Sequence, residues 1–217
     1  MMHGLSQEGD QLRRKLLELC ALVEENARRA VIAMRSKDAE AASNIVESDD
    51  EIDSLEIRIE EDCIALLSRP DVSHESVRFC VAVLKINNDL ERIGDLASNI
   101  SRNVEALSKH EHAVLPGELL QLAEAAIAML GATLDAFIEV DETGARAVLA
   151  HDVEVDVLNR RVYEIVRQRI MSNPAYSDRF ISILSIARYL ERVADYATNI
   201  AENVIYIASG NIVRHNR

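Results

Sequence analysis

The sequence predicts an all-α chain, a tandem repeat of two antiparallel three-helix bundles, on three observations. The first is composition: 48% of the 217 residues are apolar, yet 7 Gly, 3 Pro and no Trp leave too few turn-formers and aromatics for a many-stranded β fold. The second is an internal repeat. Residues 90–104 (LERIGDLASNISRNV) and 190–204 (LERVADYATNIAENV) are identical at nine of fifteen positions, and Ile93/Val193, Gly94/Ala194 and Ser98/Thr198 are small changes. The third is periodicity. Val83, Ile86, Leu90, Ile93, Ala97, Ile100, Val104 and Leu107 recur at alternating spacings of three and four, and Ile183, Ile186, Leu190, Val193, Ala197, Ile200, Val204 and Ile207 repeat the pattern. Such a seam suits knobs-into-holes packing inside a bundle.

Along the chain, a first helix over roughly Gln11 to Arg35 is read from Leu12, Leu16, Leu19, Val23 and Ala30. A second carries Ile52, Leu55 and Ile59, and the loop Arg69 to His74, with Pro70, separates it from the third, which holds the first seam. After Pro116-Gly117 the cycle restarts with Leu119, Leu122, Ala126, Leu130 and Phe137. It continues through Val155, Leu158 and Val162 and crosses the Ser172 to Ser177 loop into the second seam. The run Asp49 to Leu55 recurs at Asp152 to Leu158 with an offset of 103, while the later signature recurs at 100, so the difference falls in those two loops. Short loops make neighbouring helices antiparallel, giving one three-helix repeat over 7–110 and a second over 114–210. No segment reads as a strand.

A balance of 24 Lys+Arg against 37 Asp+Glu, net −13, argues against nucleic acid and against a basic membrane-docking patch. Cys20, Cys63 and Cys80 are odd in number and lack CxxC spacing, so neither a disulfide framework nor a thiolate zinc site is expected. The start MMHGLSQEGD has no basic and apolar leader, and the longest uncharged run, Ala125 to Leu134, is half of a membrane span. The expectation is a cytoplasmic protein with no direct membrane insertion.

With the seam at a and d, Glu91, Asp95 and Asn99 fall at b, f and c, as do Glu191, Asp195 and Asn199. Residues four apart sit one turn above each other, so Glu91/Asp95 and Glu191/Asp195 each aim two carboxylates at one patch. The second helices add Asp49/Asp53 and Asp152/Asp156 just outside their own seams. If the helices lie side by side, each repeat presents four carboxylates, a donor set for a hard cation such as Mg, Mn, Ca or Fe and not for tetrahedral zinc. Acidic residues outside a seam are ordinarily a solvated face. What sets these apart is their recurrence in both repeats while intervening residues read as solvent-facing, Ser98/Thr198 and Arg102/Glu202, have changed.

Arg92, Arg192 and Arg188 stand beside these acids and are read first as intrahelical ion-pair partners, second as holders of a phosphate or a partner's carboxylate. His110 and His112 are read as surface residues. There is no GxSxG, no phosphate-binding glycine loop, no HExxH and no Glu-x-x-His pair, so no catalytic residue is assigned and the chain is not read as an enzyme. A carboxylate-bridged metalloenzyme or metal store, and a purely structural bundle, stay open as alternatives.

Two three-helix units each carrying LER[IV][GA]D followed by NI resemble the PhoU family of bacterial phosphate-uptake regulators, over most of the chain. The resemblance implies a cytoplasmic homodimer that associates with the phosphate ABC transporter ATPase and the phosphate-sensing histidine kinase and restrains the starvation response. It also implies metal clusters on E(D)xxxD motifs, here Glu91/Asp95 and Glu191/Asp195 with Asp49/Asp53 and Asp152/Asp156 alongside. Many relatives have His after the second signature's Asp, where this chain has Tyr196, with Leu96 in the first copy. A PhoU-domain regulator of a different transporter is the remaining alternative. Tyr163, Phe180, Tyr189 and Tyr206, apolar positions outside the seams, are weak further support for a dimer.

Overall fold

The computed structural model describes residues 7–110 and 114–213. These form α1 (Gln7–Ser36), α2 (Ala39–Glu47), α3 (Asp49–Leu67), α4 (His74–Ser108), α5 (Gly117–Glu139), α6 (Glu142–Ser172) and α7 (Ser177–Ser209), with a 3₁₀ turn at Pro174–Tyr176 and no strand among them.

Both repeats open with the same turn, built without glycine. α1 stops at Lys37 (φ 55°), whose amide and that of Asp38 fold back onto the Met34 and Ala33 carbonyls at 3.4 and 3.0 Å. Asp38 then caps α2 by accepting from the Ala41 amide at 3.0 Å. In the second repeat, Val140 (φ 55°) closes α5, the Asp141 amide reaches the Ala136 carbonyl at 2.8 Å, and the Asp141 carboxylate accepts from the Thr143 amide at 2.9 Å. A β-branched residue in the left-handed region is strained, so the fold-back bonds and the cap together hold Val140 there.

The repeats differ in their second element. A single helix from about Asp49 was expected; in the first repeat an additional short helix, α2, precedes it and Ser48 interrupts the two. The Ser48 hydroxyl donates to the Ile45 carbonyl at 2.8 Å and accepts from the carboxamide of Asn26 on α1 at 3.1 Å, so it is tied to its neighbours at the break. At the equivalent place in the second repeat α6 runs on through His151.

Across the two repeats the helices pair antiparallel. Early α4 meets late α7, with Lys85 Nζ 5.9 Å from the Tyr206 ring, and early α1 meets late α5, with the Arg13 guanidinium donating to the Ile138 carbonyl at 3.0 Å. α1, α4, α7 and α5 form a ring in which each packs on the next; α2 and α3 lie outside α1 and α4, and α6 lies outside α5 and α7. One continuous core results, from Leu12, Leu16 and Leu19 through both seams to Ile200 and Val204. At about 25 cal/mol per Å² of apolar surface removed from water, this shared core is the dominant stabilising term. α5 is long and apolar enough to cross a membrane, but 56% of its apolar window is buried inside the protein, as the middle of this ring requires.

Of the apolar positions outside the seams, Phe180 and Tyr189 pack against the core, Tyr206 lies beneath Lys85 and Tyr163 is exposed. Cys20, Cys63 and Cys80 are free and buried; burial pushes the Cys20 thiol up to about 12.

Candidate functional site

The signature sets Glu91 and Asp95 one turn apart on α4, and α3 packs alongside to bring in Asp49 and Asp53. Gly94 allows the close approach. A Cβ there would stand 3.0 Å from Ile52 Cδ1 and 3.5 Å from Asp49 Oδ1, so a side chain would crowd Ile52, which would have to give by a few tenths of an ångström. In the second repeat the buried Ala194 stands in the place of Gly94, and Val155, one methylene smaller than Ile52, stands in the place of Ile52. α7 thus supplies Glu191 and Asp195, and α6 supplies Asp152 and Asp156.

The acids of each repeat are electrostatic neighbours. Burial holds Glu191 above the ordinary carboxylate value, and Asp195, Asp156 and Asp152 add to the rise while Arg192 opposes it. Burial likewise raises Glu91, with Asp95 adding, Arg92 opposing, and Asp53 and Glu56 contributing less. Asp49 is raised by burial against the pull of the Ser98 hydroxyl, and Asp53 and Asp95 reinforce the rise. All eight carboxylates predicted from spacing therefore fall in the two expected groups. Among the described residues, however, no three His, Cys, Asp or Glu side chains converge closely enough to hold a metal as they are arranged. The donor chemistry fits a hard cation, and the half-exposed carboxylates would have to swing inward to enclose one.

Counter-charge differs between the repeats. Arg92 lies 3.3 Å from both Glu91 Oε2 and Asp95 Oδ2, the intrahelical pairing expected of it. Arg192 opposes the rise of Glu191 and also donates to the Tyr196 hydroxyl at 3.1 Å. The aromatic at the position of Leu96 thus gives the second arginine another partner, beside a small cavity of about 290 Å³ that Asp195 borders. Arg188 lies over the Tyr189 ring. His110 is half-buried, and His112 falls outside the described residues.

Spacing missed two contributors. Glu56, a turn beyond Asp53 on α3, is raised by burial and by Glu60 and Asp53, and the carboxamide of Asn87 donates to its side chain at 3.3 Å. The i, i+4, i+7 sequence Asp49, Asp53, Glu56 was the available signal; its counterpart in α6 ends in Asn159. Ser98 is the second, and it corrects the reading of Ser98/Thr198 as solvent-facing: both are buried, at 1% and 7% exposure. α4 and α7 pack on two sides, so the b positions next to the acids are covered. A broad groove of about 1230 Å³ between α5 and α6 includes none of the eight carboxylates.

The family model for the PhoU domain matches this chain twice, over residues 16–104 and 119–204. A phosphate-specific transport system accessory protein PhoU homolog of Pseudomonas aeruginosa is 33% identical over 222 residues, covering 99% of this chain and 91% of that protein. The Serratia marcescens accessory protein PhoU is 31% identical over 212 residues, covering 96% and 86%. The crystal structure of PhoU from Pseudomonas aeruginosa superposes with a TM-score of 0.90 at 32% identity, covering 94% of this chain and 98% of that one.

Proposed function

The chain belongs to the PhoU family, and on that premise we propose that it is an accessory protein of the phosphate-specific transport system that restrains phosphate uptake and the phosphate-starvation response when phosphate is ample. The observation that carries this reading is similarity over both repeats at once, at nearly full length, to proteins named for that accessory role. Those relatives are named as accessory proteins, which supports a regulator that turns over no substrate. Its eight carboxylates also lie at the bundle surface, whereas a carboxylate-bridged oxidase builds its centre from side chains projecting into the core.

The mechanism proposed is that of a cytoplasmic adaptor, acting as a homodimer, between the phosphate ABC transporter ATPase and the sensor histidine kinase. Its net charge of −13 favours basic partner surfaces and steers association with them. Asp49, Asp53, Glu91 and Asp95 in one repeat, and Asp152, Asp156, Glu191 and Asp195 in the other, would hold Fe, Mn or Mg. A bound cation would supply positive charge where burial and neighbouring acids now raise Glu91 and Glu191.

A deletion strain in phosphate-rich medium tests the regulatory role: derepressed phosphate-regulated transcription or raised uptake is expected, and wild-type behaviour in both would remove it. Complementation with Asp95→Asn/Asp195→Asn, alongside elemental analysis of the purified variant, tests the metal. Unchanged metal content and unchanged thermal stability in divalent metal would reject the ligand assignment.

A further inference from the structure

Where the first repeat closes its bundle with Leu66 and Phe79, buried at 6% and 5% exposure, the second carries Arg169 and Arg179 at the equivalent positions, by the same offsets of 103 and 100. A cavity of about 310 Å³ opens there, between the last turn of α6 and the first turn of α7, lined by both arginines with Asn173 and Tyr176 over Phe180 and Ile183. Arg169 donates to the Val114 carbonyl at 2.9 Å, and the Arg179 guanidinium lies 4.0 Å from the Tyr176 ring centroid. Neither makes an ion pair among the described residues. Asp178, the acid of the first turn of α7, is exposed and does not line the cavity.

This is a local reversal of charge in a chain of net −13. Arg179 is the third residue of α7, where a cation opposes the helix dipole, and α7 has no side-chain N-cap. A dianion seated here would offset two guanidinium charges and the positive helix end together, and fork-shaped donors match phosphate oxygens in pairs. The volume lies at the lower end of small-molecule pockets, well above what a bare oxyanion needs, and Phe180 and Ile183 provide an apolar floor. We propose that this cavity binds a small phosphate monoester, its phosphoryl group held by Arg169 and Arg179 and its organic part resting on Phe180 and Ile183. The proposal goes beyond the accessory role and is independent of the carboxylate sites.

The test is calorimetric titration of the purified full chain with ribose 5-phosphate, adenosine monophosphate, orthophosphate and citrate. A monoester should bind at least about tenfold tighter than orthophosphate, which separates an organic phosphate from the free ion, and citrate should bind more weakly still. Arg169→Leu with Arg179→Phe, which installs the first repeat's residues, should abolish that binding with helix content unchanged. Protection of Arg169 and Arg179 from phenylglyoxal by the monoester, read by peptide mass spectrometry on the unaltered protein, gives the same answer without a variant. No monoester binding up to about 10 mM, equal binding of orthophosphate or citrate, or no protection of either arginine would each overturn the assignment. Because these readouts need no transporter, kinase or metal, their failure leaves the regulatory reading standing, and a wild-type deletion strain would leave this one standing.

Discussion

Beside the half-exposed acids of the first repeat Gly94 meets Ile52, and elsewhere in it the middle element breaks at Ser48 and Leu66 and Phe79 close the bundle; in the second repeat Ala194 and Val155 take the first pair's places, α6 runs unbroken, and Arg169 and Arg179 stand at the closing positions. The seams survive duplication because every seam position but the last, the partly buried Ile207, is buried in a core that both copies share, where a change of one methylene is felt. Positions outside the seams have only to satisfy their local neighbours, and there one repeat compensates a larger residue on one helix with a smaller one on the next. Divergence between the copies therefore marks where each has acquired surroundings of its own.

The largest effects should come from breaking the shared core. Leu90→Ala and Leu190→Ala remove equivalent, fully buried side chains, and each should cost about 2–5 kcal/mol in urea unfolding. Both should shift one common transition. Two separable transitions, one per repeat, would show that the ring of α1, α4, α7 and α5 does not couple the bundles.

Asp89 offers a pH-dependent contrast with Tyr189, its counterpart in the second repeat. Burial between α4 and α7, with Glu202 adding and Lys85 opposing, pushes its carboxyl up to about 7 from 3.8. Between those values the folded chain keeps a proton that the unfolded chain has released, so stability falls as pH rises from about 4 to about 7 and the slope ends above that. Asp89→Asn should flatten this part of the melting-temperature profile and add on the order of 2 kcal/mol at pH 8. A slope unchanged by the substitution would place its origin elsewhere.

Gly94→Ala asks whether the first repeat can take the second's residue. The helical gain of alanine, about 1 kcal/mol, is opposed by the contact with Ile52, so the single change should be neutral or destabilising. With Ile52→Val in place the same change should stabilise, and a double-mutant cycle should return a favourable coupling of about 1 kcal/mol. A coupling near zero would mean that α3 moves aside freely. The smallest effect concerns the break. Ser48→Ala removes the bonds to Asn26 and to the Ile45 carbonyl and should cost about 1 kcal/mol, while His151→Ala, on the exposed surface of a continuous helix, should stay within about 0.5 kcal/mol.

Periodicity in the sequence determined the seams, the two copies, the antiparallel order and the grouping of Glu91, Asp95, Glu191 and Asp195 with the aspartates of the neighbouring helices. Each of these follows from which residues share one face of a helix, and spacing alone sets that. What a second face meets depends on residues distant in sequence. Burial of Ser98 and Thr198, the Asn26 to Ser48 bond at the break, the bond of Arg192 to Tyr196, and the joining of two bundles into one ring became visible only once the helices were packed. The same holds for the acids: sequence placed eight carboxylates on two shelves, but the distance between them and the counter-charge beside them were decided in tertiary structure, by a glycine that lets α3 approach and by the partner each arginine finds.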